Sequence, residues 1–561
     1  MAMDFRKAIV DLLKKEVKFD ESSIEVPKDT SLGDFALPCF TFAKEMRKAP
    51  QMIASELAKK LKPNKYIKEI TANGPYLNFF INNDLLAEEV VPKALKLKDK
   101  FGSAMIGKGK HALIEHTSIN PNASPHVGRA RNSLIGDSLS RLLKFEGYKT
   151  EIHYFVNDIG KQIAVLVLGC AGKKVTFEKL LDIYVEISRK VENDDKLQAQ
   201  VFHLLNKFEA GDKKVMQQFR NVVKICIDGQ KEVFSELGIK FDHFDYESDY
   251  LINKRTDEIL KSLQKTGKLF VDETGRKVLN EDGFGLEMKS PVLVLTRSDG
   301  TSLYPLRDIA YTIDKMKRGK DANIIVLGED QKLYFQQLAA ALNILGQKAP
   351  SPVHYSFVLL AEEGKMSTRA GNVVLMTDFM KQASEKAAKE ILKRNPKAKG
   401  KELENISRVI GHGALKFSIL KVSPDKNVTF DWDQALNFEG ETGPYVQYAH
   451  ARINSIFEKY GKKISGKADF CLFEKSQEKR LVTLLSQFED LVTDATENLR
   501  PHALANYLIE LAQAFNEFYQ FCPILKEEAK LRDARLHLVA AVQISLKNGL
   551  DLLGIEAPER M

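Results

Sequence analysis

The sequence predicts an α/β protein: a split doubly wound parallel sheet with a helical insert, preceded by a small α/β domain and followed by an all-α bundle. Three observations carry this. From Gly107 to Leu360, short apolar runs alternate with amphipathic helical ones, the pattern of a parallel sheet covered on both faces. A mostly helical stretch at about 160–290 interrupts that alternation. Beyond about 376 strand signals are scarce, and from Glu439 onward the pattern is nearly all helical.

Each element follows from local signals. In residues 1–105, Ser31-Leu32-Gly33-Asp34 precedes a helical stretch, FALPCFTFAKEMR, and Ala49-Pro50 opens another helix. The runs YIKEITANG and YLNFFIN read as a strand pair joined at Asn73-Gly74-Pro75. In residues 106–375, HALIEHTS is a short apolar strand, and the polar loop INPNASPHVG leads into a helix. In that helix Leu134, Ile135, Leu139, Leu142 and Leu143 keep helical spacing, and Gly147 stops it. KTEIHYFVND is the next strand, and after the insert SPVLVLTRSDGTSLY restores the strand signal, with Asp299-Gly300 as a hairpin turn. Helix, strand, helix and strand then alternate through RDIAYTIDKMK, NIIVLGE, KLYFQQLAAALNILG and VHYSFVLL. Residues 376–438 form a helical connection carrying a basic loop at 393–401, which would either touch phosphates or be a solvated linker. Residues 439–561 form the bundle.

Composition sets the class. Hydrophobic residues make up 44% and charged residues 29% of 561 positions, as in ordinary globular proteins and unlike disordered or collagenous chains. The longest apolar run, Ile163 to Gly172, is about half of a membrane span. No secretory or transit pattern opens the chain, so a cytoplasmic protein with no membrane association is expected. The five cysteines, Cys39, Cys170, Cys226, Cys471 and Cys522, are scattered. A disulfide framework and a zinc ribbon are both poor fits, and no metal ligands are expected. A net charge of +8 suits a polyanionic partner without demanding one.

The chemistry centres on two loops. No Walker A motif is present, since Gly107-Lys108-Gly109-Lys110 lacks the spacing, and no GxGxxG follows a strand. Pro125-His126-Val127-Gly128-Arg129 sits where the first strand hands over to its helix, and helix N-termini bind anions. Gly364-Lys365-Met366-Ser367-Thr368-Arg369 follows the last strand signal, with Lys365 and Arg369 spaced to serve one phosphate chain. Both loops then lie at the carboxyl ends of strands, where an open parallel sheet binds its ligand.

HVGR followed far downstream by KMSTR resembles the two signatures of class I aminoacyl-tRNA synthetases. EHTSINPN, YFVNDIGKQ, YPLRDIAY, GEDQ, KMSTRAGN and TGPYVQYAHARI resemble arginyl-tRNA synthetases in particular. So do LRPHALANYLIELAQAFNEFY and LGIEAPERM near the C-terminus, and GDFALPCFTFAKEMRKAPQMIASELAKKL with NGPYLNFFIN near the start. The resemblance implies a Rossmann-like catalytic domain that joins L-arginine to tRNA(Arg) with ATP as substrate and Mg2+ accompanying it, without zinc, in a protein expected to be a monomer.

The resemblance also implies roles for individual residues. His126 and Lys365 would be catalytic. Pro125, His126, Gly128, Arg129, Lys365, Met366, Ser367 and Arg369 would bind ATP. Glu115, Asn120, Tyr304, Asp308 and Gln331 would hold arginine, and a cationic ligand would offset the cost of Glu115 and Asp308 in a cleft. Asn157 and Asp158 would either orient substrate or structure their loop. Tyr445, Tyr448, Arg452, Asn506 and Tyr519 would meet tRNA, and His450, Tyr507, Phe515 and Asn516 share those stretches. Aromatic residues at helical spacing are as readily core as contact. Arg129 departs from the family, whose second histidine it replaces with a permanent charge.

Overall fold

A computed structural model of the chain describes all residues except Met1, Val26, 28–31, Lys254, 361–363, 366–373 and Ser465. The N-terminal unit holds an antiparallel sheet of β1 (Phe35–Pro38), β2 (Ile67–Asn73) and β3 (Tyr76–Ile81), in the order β1-β3-β2. Asn73 pairs with Tyr76 across the turn, and Gly74 takes the positive φ, +55°, that a tight turn needs. The helix expected over FALPCFTFAKEMR is mostly something else. Phe35–Pro38 is a strand, Cys39–Phe42 is a 3-10 turn, and only Ala43–Met46 is α-helical. Pairing of Phe35 and Leu37 with Phe79 and Leu77 outweighs the local helical spacing. Pro38 ends this edge strand, where a missing N–H costs nothing. Ile9, Leu13, Leu37, Ile53, Leu77 and Phe79 form this unit's own core. The following helix, Asn83–Leu97, instead packs against helices of the C-terminal bundle.

The central sheet contains β4 (His111–Glu115), β5 (Lys149–Val156) and β6 (His243–Tyr246). Three short strands, β7 (Leu269–Val271), β8 (Lys277–Asn280) and β9 (Val292–Val294), make a separate antiparallel sheet. β10 (Ala322–Gly328) and β11 (Ser351–Tyr355) complete the central one, whose order is β11-β10-β4-β5-β6 with every pair parallel. Strand order reverses between β4 and β10, so the switch point of this doubly wound sheet lies at Glu115 and Gly328. The stretch at 160–290 is less uniformly helical than its sequence suggests. β6 returns to the central sheet, and β9, from the expected strand SPVLVLT, joins the small one. The turn at Asp299-Gly300 forms as expected, with Arg297 N donating to Thr301 O at 2.9 Å.

VHYSFVLL is not one strand either. β11 ends at Tyr355, and β12 (Val358–Leu360) pairs with β13 (Gly364–Lys365) and with β14 (Val428–Phe430) in a third sheet. Lys365 therefore lies in the second strand of a hairpin beside the central sheet and does not follow that sheet's last strand. The break at Ser356 is held by Arg131 of helix Val127–Phe145, whose guanidinium is fully buried. It donates to Ser356 O (2.8 Å), Lys426 O (2.7 Å) and Ser423 O (2.9 Å), joining the first helix to both sides of the third sheet.

The C-terminal bundle consists of helices Gly443–Tyr460, Ser476–Glu497, Pro501–Phe521 and Ala529–Leu552 around Phe488, Phe515 and Phe518. Among the described residues, no helix is long and apolar enough to cross a membrane. Arg131→Met should cost about 2–4 kcal/mol, because the buried Ser356 carbonyl and two part-buried ones lose a charged donor. Chemical denaturation of the variant checks this, and a loss under about 1 kcal/mol would mean that the triple bond is not what holds the third sheet.

Candidate functional site

The switch point is assembled by two backbone hydrogen bonds. Val127 N donates to Val374 O (3.1 Å), and Met376 N donates to Pro125 O (2.8 Å). His126 forms an antiparallel bridge with Leu375 between them. The first loop is thus fastened to the chain immediately after residues 366–373. The side chain of Lys365, and Met366, Ser367, Thr368 and Arg369 altogether, lie outside the described residues.

His126 occupies the N-cap position of helix Val127–Phe145 in an extended conformation, yet its side chain does not cap the helix. Its Nδ1 is buried without a hydrogen-bond partner among the described residues. Burial, helped by the nearby Arg129 charge, pushes its pKa down to about 4, so the ring is neutral at pH 7. A neutral imidazole keeps one N–H donor and one acceptor. Pro125 is buried and Gly128 half-buried. Arg129 is 4.0 Å from Asp330 in an exposed pair, an arrangement too weak to fix the guanidinium.

The turn after β4 is strained. Thr117 and Ser118 have φ of +73° and +43°, a region that non-glycine residues rarely enter. Asn132 Oδ1 accepts from Thr117 N (2.6 Å), Thr117 Oγ1 donates to Ser133 Oγ (2.9 Å), and Asn132 Nδ2 donates to Val326 O (2.8 Å). One asparagine of the first helix thereby ties together the ends of β4 and β10. Gly136 on the same helix leaves room for the His116 ring, which a Cβ there would meet at 2.2 Å.

Four carboxylates lie at this end of the sheet, and their partners differ. Glu115, the last residue of β4, forms a buried ion pair with Lys315. Glu247 receives Arg307 Nε at 2.6 Å, and the Asn157 amide donates to it at 2.8 Å in the orientation that satisfies both groups. Burial pushes Glu247 up to about 7, with Arg307 opposing. Asp158 accepts from Ser248 N (2.9 Å) and Ser248 Oγ (2.6 Å), and burial raises its pKa. Asn157 and Asp158 thus hold the Glu247-Ser248 segment in place. Asp308 accepts a hydrogen bond from Tyr334 Oη and has no ion-pair partner among the described residues. Burial pushes Asp308 up to about 6. The Tyr334 bond opposes that rise and the charge of Glu115 adds to it.

Tyr304 completes this group, half-exposed, with its ring 5.2 Å from that of Tyr334. The cation expected for Glu115 is therefore already inside the fold as Lys315, and Asp308, with one phenol donor against the two serine donors of Asp158, is the least compensated of the four. Asn120 and Gln331 are exposed and make no hydrogen bond to these residues. Asn120 Nδ2 donates instead to Gln162 Oε1 at 3.0 Å. Lys315, Tyr334, Glu247 and Arg307 escaped the sequence reading. The available signal was Asp308, Tyr311 and Lys315 at i, i+3 and i+7, a polar stripe on a helix otherwise facing the core.

In the bundle, Arg452 stacks over Tyr448 (4.6 Å) and Tyr519 (5.1 Å), and donates to Asn516 Oδ1 at 2.7 Å. Tyr519 is half-exposed, whereas Tyr445 packs against the core. Asn506 lies on the same helix as Tyr519 but about 20 Å along it. Tyr507 and Phe515 are core residues, and the buried His450 bonds Pro558 O at 2.9 Å.

Comparison with known proteins agrees with this architecture. Residues 90–432 match the catalytic domain of class I tRNA synthetases (R). Residues 446–561 match the DALR anticodon binding domain, and residues 1–81 match the arginyl tRNA synthetase N terminal domain. The fold is that of a class I tRNA synthetase. An arginine–tRNA ligase of Methanocaldococcus jannaschii is 38% identical over the whole of both chains, and one of Methanococcus aeolicus is 38% identical over 97% of each. The solved Thermus thermophilus arginyl-tRNA synthetase superposes with a TM-score of 0.82 at 28% identity, covering 100% of this chain and 99% of that one. This chain belongs to the arginyl-tRNA synthetase family.

Asp308 should titrate near pH 6, and Tyr334→Phe should raise that midpoint, because it removes the hydrogen bond that favours the carboxylate. Isotope-edited infrared titration of the carboxyl band, with Asp308→Asn as the blank, reads it directly. A wild-type midpoint near 4, or a fall in Tyr334→Phe, would contradict the arrangement.

Proposed function

We propose that in this arginine–tRNA ligase the guanidinium of arginine is received by Asp308. The observation that carries this is a carboxylate held by a single phenol with no ion-pair partner among the described residues, in a cluster where Glu115 and Glu247 each have a cation and Asp158 has two serine donors. A guanidinium meets a carboxylate with a planar fork of donors, which a neutral or singly pointed side chain cannot copy. Tyr304, with Glu115, Asn120 and Gln331 around the same cleft, completes the arginine pocket in this reading.

Two steps follow. The carboxylate of arginine attacks the α-phosphorus of ATP, forming arginyl-adenylate and releasing pyrophosphate. The 2′-OH of the terminal tRNA ribose then takes the arginyl group and AMP leaves. The first nucleophile is already ionised at pH 7, so catalysis rests on positioning and on stabilising charge over the phosphate oxygens. His126, neutral and half-buried, is suited to donate one hydrogen bond to a phosphate oxygen without a charge change. The N-terminus of helix Val127–Phe145 adds the positive end of its dipole, and Gly128 lets a phosphate approach the backbone closely. Lys365, Met366, Ser367 and Arg369, with Arg129 at the rim, would line the remaining phosphate path. Mg2+ would come with ATP and supply positive charge that offsets the charge developing on the phosphates. Among the described residues no carboxylate trio stands at the His126 loop, so phosphates and water would hold most of its coordination.

The division of labour follows the chain: residues 1–105 contact tRNA, 106–375 catalyse around the insert at 160–290, 376–438 connect, and 439–561 read the anticodon. The stacked Tyr448, Arg452 and Tyr519 suit unpaired RNA bases, and Asn506, exposed farther along the same helix as Tyr519, would be a separate contact. A monomer working in the cytoplasm is the simplest setting. Charging of tRNA(Arg) with radiolabelled arginine tests the activity itself. Asp308→Asn should weaken arginine binding by about 2–4 kcal/mol while leaving ATP affinity near wild type. A normal arginine KM in that variant would remove Asp308 from the pocket.

A further inference from the structure

The outer two strands of the central sheet carry a second polar cluster that the aminoacylation chemistry leaves unused. β5 and β6 run parallel with His153 opposite His243. Side chains two residues apart share a face of a strand, so Glu151 and His153 of β5 lie beside His243 and Asp245 of β6. The two imidazoles stack with centroids 4.5 Å apart and planes 24° apart. His153 Nε2 is 3.4 Å from Glu151 Oε2, and His243 Nε2 is 3.8 Å from the same oxygen. One ligand atom from each of the three residues lies within 4.8 Å of the others. Neighbouring ligand atoms of a tetrahedral zinc ion stand about 3.4 Å apart, so small rotations would close this set on an ion.

Hydrogen bonding in the cluster points the same way. His153 is almost fully buried, 2% exposed, and its Nδ1 lies 2.6 Å from Asp245 Oδ2. Asp245 also accepts from Tyr311 Oη at 3.2 Å. A carboxylate on Nδ1 keeps the proton there and leaves the Nε2 lone pair facing outward. That lone pair then meets another acceptor, the Glu151 carboxylate. Two acceptors at 3.4 Å repel unless a positive centre lies between them. Imidazole backed by a carboxylate is also the usual arrangement behind a metal-bound histidine.

We propose that Glu151, His153 and His243 form a binding site for one divalent cation of the zinc class, with Asp245 orienting His153. Two imidazole nitrogens and one carboxylate oxygen suit zinc, cobalt or nickel, whereas calcium and magnesium take oxygen ligands. His243 is 44% and Glu151 35% exposed at the side chain, so the ion can enter from solvent and keep water in its fourth position. The site would staple β6, an edge strand with one sheet neighbour, and β6 runs directly into Glu247 and Ser248, which hold Arg307 and Asp158. Cysteine spacing could not reveal it, because the donors are a Glu-x-His and a His-x-Asp brought together only by strand register.

The test titrates zinc chloride into the full-length chain after chelator treatment and desalting, by calorimetry and thermal melting. Cobalt(II) absorption reports the coordination geometry. One ion per chain should bind with a Kd in the micromolar range or tighter, and bound zinc should raise the melting temperature of the wild type. Asp245→Asn should weaken binding by about 10–100-fold. His243→Ala, at the exposed edge, should abolish both the binding and the stabilisation, while the apo variant melts near apo wild type. Absence of saturable 1:1 binding would overturn the proposal and leave a proton as the positive centre. Equal zinc binding by wild type and His243→Ala would overturn it as well.

Discussion

A carboxylate removed from water needs a counter-charge or a set of donors, and this requirement organises the cleft at the carboxyl ends of β4 and β10. Glu115 has Lys315, Glu247 has Arg307, and Asp158 has a serine N–H and hydroxyl. Each pairing also performs a mechanical task. Lys315 ties helix Tyr304–Arg318 to β4, and Arg307 ties the same helix to the end of β6. Asp308 sits on that helix between the two cations, satisfied only by a phenol. The helix is thereby held on both flanks, and Asp308, the acid with the fewest partners of its own, is where a cationic ligand gains most.

The second half of the cleft depends on long-range fastening. Helix Val127–Phe145 reaches the third sheet through Arg131, the ends of β4 and β10 through Asn132, and the segment after residues 366–373 through two backbone bonds. All three contacts begin within two turns of His126. Loops that lie far apart in the chain thus share one rigid support, which is what a reaction run by positioning requires. The strain at Thr117 and Ser118 is held by the same helix.

Much of this was legible in the sequence, and what was not has physical reasons. The strand–loop–helix–strand order around His126 and the small N-terminal and helical C-terminal units follow from periodicity, and all three appear in the fold. Phe35–Pro38 reads as helix because its strand partner, Leu77 to Phe79, lies far downstream. β6 is four residues between helices, too short for any periodic signal. The break at Ser356 is invisible until Arg131 is seen to hold it. In the cleft, acids stand out in sequence but cations do not. Lys315 lies 200 positions from Glu115, and a lysine on a helix ordinarily reads as solvated. The bundle aromatics divide into core (Tyr507, Phe515) and surface (Tyr519) by which neighbouring helix covers them, information that no single helix contains.

The claim that an uncompensated Asp308 selects the substrate is tested most directly by comparing arginine with citrulline, its neutral isostere, in amino-acid-dependent ATP–pyrophosphate exchange with tRNA present. Wild type should favour arginine by at least about 100-fold in kcat/KM, equivalent to about 2.7 kcal/mol, and Asp308→Asn should collapse that preference chiefly by losing arginine. If Asp308→Asn preserves the wild-type ratio, the charge that recognises arginine lies elsewhere in the cleft.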